Sequence, residues 1–173
     1  MKLTFTSILF LLAAFCFAQS DTSKASYSND KIKIEYPKTW RLDTSGIMGT
    51  EFFVFSPLEN EKDKFSENVN GLIQDLSGQN IDLEKYKQIT EKQLTDMATD
   101  DKVFESSIIK SDNKEYFKII YAMTQGKFRL KITTVCFIKN DKAYLATFSA
   151  ELDKYEQYKK RGEEVLSSFQ LTN

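Results

Sequence analysis

The side chains that could do chemistry in this sequence are carboxylates, serines and two cysteines, because its 173 residues include no histidine. Histidine is the commonest general base for activating a serine or cysteine nucleophile. No serine lies in the G-x-S-x-G pattern of a nucleophile elbow. The sequence therefore does not support a nucleophilic enzyme, and we expect no catalytic residue.

Acidic side chains form two close groups along the chain, which are Glu59, Glu61 and Asp63, and Asp96, Asp100 and Asp101. Paired carboxylates could act in hydrolysis, and calcium takes about six to eight oxygen ligands. Neither group matches the glycine-containing pattern of a calcium loop, and charged residues of this kind are mostly solvated. We therefore interpret both groups as surface residues and expect no metal site.

Other cofactors also lack their usual residues. Zinc is held mainly by cysteine and histidine, and no G-x-G-x-x-G or phosphate-binding loop is present. Cys136 stands in the apolar run TVCFI, residues 134–138, and has no histidine to activate it. We interpret it as a buried, inert thiol and expect no cofactor.

The N-terminus has the pattern of a secretory signal peptide. Lys2 provides a positive start, residues 8–17 are apolar and uncharged, and small residues precede a cleavage site between Ala18 and Gln19. The sequence predicts an exported protein, periplasmic or secreted, from which residues 1–18 are removed.

A lipoprotein is the alternative to simple cleavage. Residues 12–16, LAAFC, resemble a lipobox that ends at Cys16. Phe15 is larger than the small residue that such a box requires before its cysteine, so we favour cleavage after Ala18.

Size and charge then limit the remaining chain. Loss of residues 1–18 leaves about 155 residues, enough for one domain. It also removes Lys2 and no acid, which leaves 23 basic against 25 acidic residues and a net charge of −2. Such a balance argues against nucleic acid as a partner. We expect a flexible polar arm at 19–26 and one domain at 27–173, with no later transmembrane segment.

Alternating and helical patterns predict seven strands and two helices in this domain. The strands are expected at 31–36, 51–55, 69–76, 104–110, 116–124, 128–139 and 143–150, and the helices at 82–98 and 154–169. Asp82 is a candidate N-cap of the first helix, and Asp153 with Glu156 has the spacing of a capping box for the second. Gly162 falls on the apolar stripe of the second helix, which suggests a close approach to a sheet.

The last four strands form the strongest pattern. Only short turn-forming segments separate them, so they must be antiparallel neighbours in a meander. Residues 135–138, VCFI, are apolar without alternation, which indicates that both faces of the sheet are covered there. The sequence predicts an α+β fold, a layered α/β/α sandwich with a central, mostly antiparallel sheet of about seven strands and two main helices.

The stretch KIKIEYPKTW, residues 31–40, contains the candidate binding residues. Pro37 ends the first strand after Tyr36, and the chain's single tryptophan, Trp40, follows. The two aromatic side chains could close a corner of the core, which we favour, or Trp40 could stack on a ligand.

Short motifs then recur in an order typical of one known family. They are I-x-Y-P-x-x-W at 34–40, Phe55-Ser56-Pro57, Asn68-Val69-Asn70, LEKYKQITEKQL at 83–94, Lys142-Ala143-Tyr144-Leu145-Ala146 and Ser167-Ser168-Phe169. From Tyr27 to Leu171 the chain resembles the PsbP-like family of secreted or lumenal domains. The resemblance implies an α/β/α sandwich that serves as a non-catalytic interaction module. Photosynthetic members bind a photosystem and help to retain its manganese, calcium and chloride, and a related eukaryotic fold binds a small GTPase. A histidine-dependent metal role has no matching residue in this chain.

Two functions remain after these exclusions. The first is an exported, non-catalytic module that binds another envelope or secreted protein, and the alternative is a small-ligand carrier with a pocket between sheet and helix near Tyr36 and Trp40. Tyr155 and Tyr158 in the last helix belong either to the core, which we favour, or to an exposed edge that contacts a partner.

Overall fold

The computed structural model describes residues 23–97, 102–111 and 114–172. In chain order its elements are β1 Lys24–Ser28, β2 Ile32–Pro37, β3 Arg41–Asp43, β4 Phe52–Phe55, β5 Asn68–Asp75, α1 Leu83–Met97, β6 Lys102–Ser111, β7 Lys114–Gln125, β8 Phe128–Lys139, β9 Lys142–Glu151, α2 Tyr155–Ser168 and β10 Gln170–Leu171. The predicted signal peptide with Cys16, the Ala18–Gln19 cleavage site, Asp100 and Asp101 lie outside the described residues.

A seven-stranded antiparallel sheet forms the centre of the fold, in the order β3-β4-β5-β9-β8-β7-β6. The neighbours β9-β8-β7-β6 are the predicted four-strand meander. The α+β class, the two helices and the seven-stranded sheet are thus confirmed.

The predicted first strand is instead part of a second, three-stranded sheet, in the order β1-β2-β10. Strand β1 begins at Lys24, so the last residues of the segment 19–26, predicted to be a flexible arm, are paired strand. The Asn29 side chain accepts hydrogen bonds from the backbone N–H groups of Lys31 and Ile32, both at 2.9 Å. This turn returns the chain along β2, which supplies β1 with partners that the polar composition of residues 24–26 did not indicate.

Helix α2 and the small sheet cover one face of the large sheet. Ile32 and Ile34 of β2 are at most 1% exposed, and Tyr155 and Tyr158 of α2 are 1% and 7% exposed. The core position of the two tyrosines is confirmed. A Cβ added at Gly162 would lie 2.5 Å from the Phe148 ring, so the predicted close approach of helix and sheet is also confirmed.

Helix α1 covers the opposite face, where Phe117, Ile119 and Cys136 are each 1% exposed. Val135, on the opposite face of the same strand, is 7% exposed, so both faces are packed at residues 135 and 136 as predicted, whereas Phe137 and Ile138 are half-buried. The N-cap of α1 is confirmed, because the backbone N–H of Lys85 donates to Asp82 Oδ1 at 2.8 Å.

The capping box predicted for α2 is wrong. The N-cap is Lys154, and no side chain caps the helix there. Glu156 contacts Lys131 of β8 at 3.0 Å instead, because the neighbouring sheet offers it a cation.

The two helices are offset relative to the large sheet. Helix α1 packs against β6 and β7, whereas α2 packs against β9 and β5 and against β2 of the small sheet. Each helix thus covers one half of its face. Within the described residues, no helix has the length and apolar character needed to cross a membrane.

Candidate functional site

Both aromatic residues of the predicted corner lie in the core between α2 and the sheets. Trp40 is 3% exposed and Tyr36 is 8% exposed. The backbone N–H of Trp40 donates to the Pro37 carbonyl at 2.9 Å, so the proline and the tryptophan belong to one tight turn. The turn directs both rings inward.

A groove runs between this corner and α2, and we call it the Tyr36 groove. Its volume is about 530 Å³, and its lining consists of Ser23, Lys24, Glu35, Tyr36, Pro37, Gln157, Lys160, Arg161, Glu164 and Val165. Half of the lining residues are charged, with both signs present, and Lys24 lies 3.8 Å from Glu35. Tyr36 contributes to the wall, whereas Trp40 does not.

A second groove lies on the other side of α2, where β7 and β8 extend past the helix, and we call it the Tyr116 groove. Its volume is about 350 Å³. The lining residues are Ser111, Lys114, Tyr116, Lys118, Thr133, Val135, Phe137, Glu163, Leu166, Ser167 and Phe169. No local pattern in the sequence predicts this groove, because it depends on where α2 crosses the sheet.

The first acidic group is part of an ion-pair cluster at the start of α2. Lys154 Nζ lies 3.2 Å from Asp63, 3.2 Å from Glu151 and 3.5 Å from Glu59. The Asp63 side chain is only 2% exposed, so its interpretation as solvated surface is wrong. Glu61 is exposed, as expected.

The charges of this cluster stabilise one another. The backbone N–H of Glu59 donates to Asp63 Oδ2 at 3.0 Å and, with Lys154, holds the pKa of Asp63 below its usual range. Burial lowers the pKa of Lys154, but the carboxylates of Asp63 and Glu151 outweigh it, so the pKa is raised overall. The cluster ties the β4–β5 connection to α2 and leaves no unpaired catalytic base among these groups.

A buried carboxyl group lies beside this cluster. Glu67 is fully buried, and burial raises its pKa. Ser56 Oγ donates to Glu67 Oε2 at 3.3 Å, while among the described residues Glu67 Oε1 and Trp40 Nε1 have no hydrogen-bond partner. The register that pairs Arg41 with Phe55 places Trp40 opposite Ser56. Trp40, which carries the unpaired N–H donor, and Glu67, which carries the unpaired acceptor, therefore lie on either side of the same strand. Glu67 follows a charged segment, and its local sequence carries no signal that distinguishes it.

Three serine–lysine pairs have the S-x-x-K spacing of some nucleophilic enzymes, Ser28 with Lys31, Ser107 with Lys110 and Ser111 with Lys114. Lys31 contacts Glu51 at 2.9 Å and Lys110 contacts Glu115 at 2.8 Å. These hydrogen bonds raise the pKa of both lysines, which is the opposite of what a lysine base requires. Ser111 Oγ donates to the Lys114 carbonyl rather than to its amine. None of the three pairs is arranged for nucleophilic attack.

The remaining candidates for chemistry are occupied or buried. Burial raises the pKa of Cys136 to about 12, so its thiol stays protonated at neutral pH. Asp96 contacts Lys92 on the exposed side of α1. In the described part of the chain, no group of three or more histidine, cysteine or acidic residues is placed to hold a metal ion.

Comparisons with known proteins agree with this architecture. A model of the PsbP family matches residues 22–171. The solution structure of cyanobacterial PsbP, CyanoP, from Synechocystis is similar, with a TM-score of 0.63 and 17% identity over 90% of this chain and 96% of that one.

Two further crystal structures share the fold at low identity. LpqN, described as involved in cell envelope biogenesis of Mycobacterium tuberculosis, has a TM-score of 0.59 and 12% identity over 87% of this chain and 86% of its own. PA94 of Pseudomonas aeruginosa, a putative regulator of unknown function, has a TM-score of 0.56 and 10% identity over 84% and 94%. Among curated proteins, none matches the sequence. The family match covers nearly the whole described chain, and the chain therefore belongs to the PsbP family.

Proposed function

We propose that this chain is an exported, non-catalytic accessory module that binds another protein of the cell envelope. The observation that carries the proposal is the family match over residues 22–171, because PsbP membership supports a non-enzymatic accessory role in general terms. The description of LpqN as an envelope-biogenesis protein supports the compartment. Export itself is supported by the signal-peptide pattern of residues 1–18.

The tip of the β3–β4 hairpin offers an apolar surface for such a partner. Ile47 is 49% exposed and Met48 is 79% exposed. Met48 has a φ of 55°, a left-handed conformation that non-glycine residues rarely adopt. The backbone N–H of Gly49 donates to the Gly46 carbonyl at 3.0 Å and holds this turn. An exposed methionine adapts readily to different apolar surfaces, so the tip is where we expect a partner to make contact.

Native mass spectrometry of the protein, purified gently from the envelope of its own host, tests this function. We expect a complex with one envelope protein, which the double variant Ile47→Ser/Met48→Ser loses. Leu58→Ser is the matched control, because Leu58 is 51% exposed in a different loop and its change should leave the complex intact. A wild-type protein that is recovered bare would contradict the proposal.

A small-ligand carrier is the second candidate, and the Tyr36 groove favours it. Its volume of about 530 Å³ falls within the range of small-molecule sites. In the same mass spectra, a carrier would show an added small mass that disappears on denaturation. The Trp40 fluorescence should then shift when the extracted ligand returns, since Trp40 and Tyr36 share one core cluster. Retention of that shift in an Arg161→Gln variant would place the ligand elsewhere.

A further inference from the structure

The Tyr116 groove exists because the large sheet is wider than its cover on the α2 face. Helix α2 packs over β9 and β5, so the same face of β7 and β8 continues beyond the helix. Register places Lys118 beside Val135 on this face, and Tyr116 packs against Phe137 one step further along. The helix forms one wall of the groove and the two strands form its floor.

The floor of the groove is largely aromatic, and its polar groups are Thr133 and Lys118, whose charge is paired with Glu105. The Tyr116 and Phe137 rings lie 5.2 Å apart, and the Phe137 and Phe169 rings lie 6.1 Å apart. Val135 and Leu166 complete the floor and are 7% and 6% exposed, whereas Tyr116 and Phe137 are half-buried. The floor therefore presents apolar surface that the fold itself does not fully cover.

Lys114 lines one end of the groove, and none of the described acidic residues forms an ion pair with it. The neighbouring lysines of β6 and β7 are paired, Lys110 with Glu115 at 2.8 Å and Lys118 with Glu105 at 3.3 Å. Lys114 thus differs from both in having no described acid as its partner.

The carboxylate of one lining residue, Glu163, would repel a bound anion. Glu163 stands on the helix wall, and no described cation forms an ion pair with it. Its carboxylate lies one helical turn before Leu166 and Ser167, away from the end that Lys114 marks. The groove thus has a cationic end, a largely aromatic floor and a single carboxylate along one wall.

We propose that the Tyr116 groove binds an amphipathic carboxylate, with its acyl chain along the floor and its carboxylate group at Lys114. Burial of each methylene against the aromatic floor supplies the affinity, and the charge at Lys114 sets the orientation. The lining residues of β7 run from Lys114 to Lys118, which span about 13 Å of extended strand. An acyl chain of about ten carbons matches that reach.

The Tyr36 groove is the natural comparison, and its chemistry suits a different ligand. Its lining includes Lys24, Lys160 and Arg161 together with Glu35 and Glu164, and Tyr36 is its one aromatic residue, whereas three aromatic residues line the Tyr116 groove. A long acyl chain there would lie against charged side chains. The proposal is therefore separate from the carrier function suggested for the Tyr36 groove.

Calorimetric titration of decanoate, the probe, into the protein lacking residues 1–18 tests the proposal. We expect one saturable site, with NMR shifts at Tyr116, Phe137 and Leu166. Decanol, which lacks the charge, should bind about three- to fivefold more weakly, the range for a partly exposed ion pair.

Three variants locate the site. Lys114→Gln should weaken decanoate about three- to fivefold and leave decanol unchanged, whereas Glu163→Gln should strengthen decanoate. Ser167→Trp, at an exposed position on the rim, should weaken both ligands at least tenfold by filling the mouth. Lys62→Gln is the matched control, since Lys62 is an exposed lysine that lines neither groove.

Three results would overturn the proposal. They are absence of a saturable decanoate site, decanoate affinity that neither Lys114→Gln nor Ser167→Trp changes, and shifts that map to the Tyr36 groove. Circular dichroism of each variant shows whether it is folded. If Ser167→Trp does not fold, the conservative Lys114→Gln change still decides the test.

Discussion

The two ends of α2 meet the rest of the molecule in different ways. At the N-terminal end, Lys154 contacts three carboxylates within 3.5 Å, and Tyr155 packs on Phe148 with ring centroids 5.4 Å apart. At the C-terminal end, Leu166 and Phe169 are also buried, yet the sheet extends past the helix and leaves the Tyr116 groove open.

The two ends of α2 thus differ in role. The N-terminal end, which we call the closed end, contributes to stability, and the C-terminal end, the open end, offers a surface for binding. At the closed end the Asp63 carboxylate is buried and paired with the partly exposed Lys154, and removing the lysine leaves a buried charge without compensation. At the open end Lys114 and Ser167 are exposed, so replacing either one changes the surface more than the free energy of folding. The open end can therefore change in sequence without loss of the helix.

The largest effect is expected at the closed end. Lys154→Met should lower the free energy of unfolding by about 3 kcal/mol, because Asp63 and Glu67 would remain buried near one another without their cation. Lys160→Met is the matched control on the same helix, at an exposed position, and should change it by less than about 0.5 kcal/mol. Urea unfolding measures the free energy of unfolding of both variants. Equal effects would show that contact with a buried carboxylate does not distinguish Lys154 from Lys160.

The middle of α2 should give an intermediate effect. Gly162→Ala would gain about 1 kcal/mol of helix propensity at an open position, but here the new Cβ would lie 2.5 Å from the Phe148 ring. We expect a net loss of about 1 to 2 kcal/mol from the forced shift of the ring. Ser167→Ala, at an exposed position in the last turn, should be neutral or slightly stabilising. A stabilised Gly162→Ala protein in thermal unfolding would show that helix and sheet separate more easily than their contact suggests.

The pH dependence of the closed end depends on Glu67. Burial raises its pKa in the folded protein, so the stability linked to Glu67 is full below the pKa of the unfolded chain, near 4.5, and is lost as the pH rises through the folded pKa. Asp63 has the opposite sign, because its lowered pKa makes acidification destabilising.

Glu67→Gln removes the first of these contributions. Relative to wild type, the variant should therefore be more stable at pH 7 than at pH 4, by on the order of 1 kcal/mol. Urea unfolding of both proteins at the two pH values measures this difference. A difference that does not depend on pH would mean that Glu67 titrates alike in the folded and unfolded chains.

Local pattern predicted the elements around α2 well. The turn at Asn140 and Asp141 joins β8 to β9, and the helical stripe that contains Gly162 and Val165 faces the sheet, because turns and periodicity are properties of neighbouring residues. The inward position of Trp40 also followed from its place after Pro37.

The closed end could not be predicted in the same way. Asp63 and Glu67 are brought to Lys154 across about ninety residues of chain, and each resembles an ordinary surface acid in its own segment. The capping-box spacing of Asp153 and Glu156 was misleading because Lys131 competes for Glu156. Strand β1 was missed because its pairing depends on the Asn29 turn more than on its own composition.

The Tyr116 groove was missed for a geometrical reason. Its size depends on how far the sheet extends beyond α2, which is set by the packing of Gly162 on Phe148 and not by the residues that line the groove. The sequence did predict a pocket between sheet and helix near Tyr36, and a groove lies there. Whether that groove holds a ligand stays a prediction.

The smallest effect on stability is expected at the open end, where the comparison is sharpest. Lys114→Gln should change the free energy of unfolding by less than about 0.5 kcal/mol, since Lys114 is exposed and makes no ion pair with a described acid. The same change should weaken decanoate binding severalfold, whereas Lys154→Met should reduce stability at little cost to decanoate affinity in the fraction that remains folded. Urea unfolding and calorimetric titration of the two variants measure the four quantities together. If Lys114→Gln lowered stability as much as affinity, the open end would be part of the folded core, and α2 would not divide the molecule as its contacts indicate.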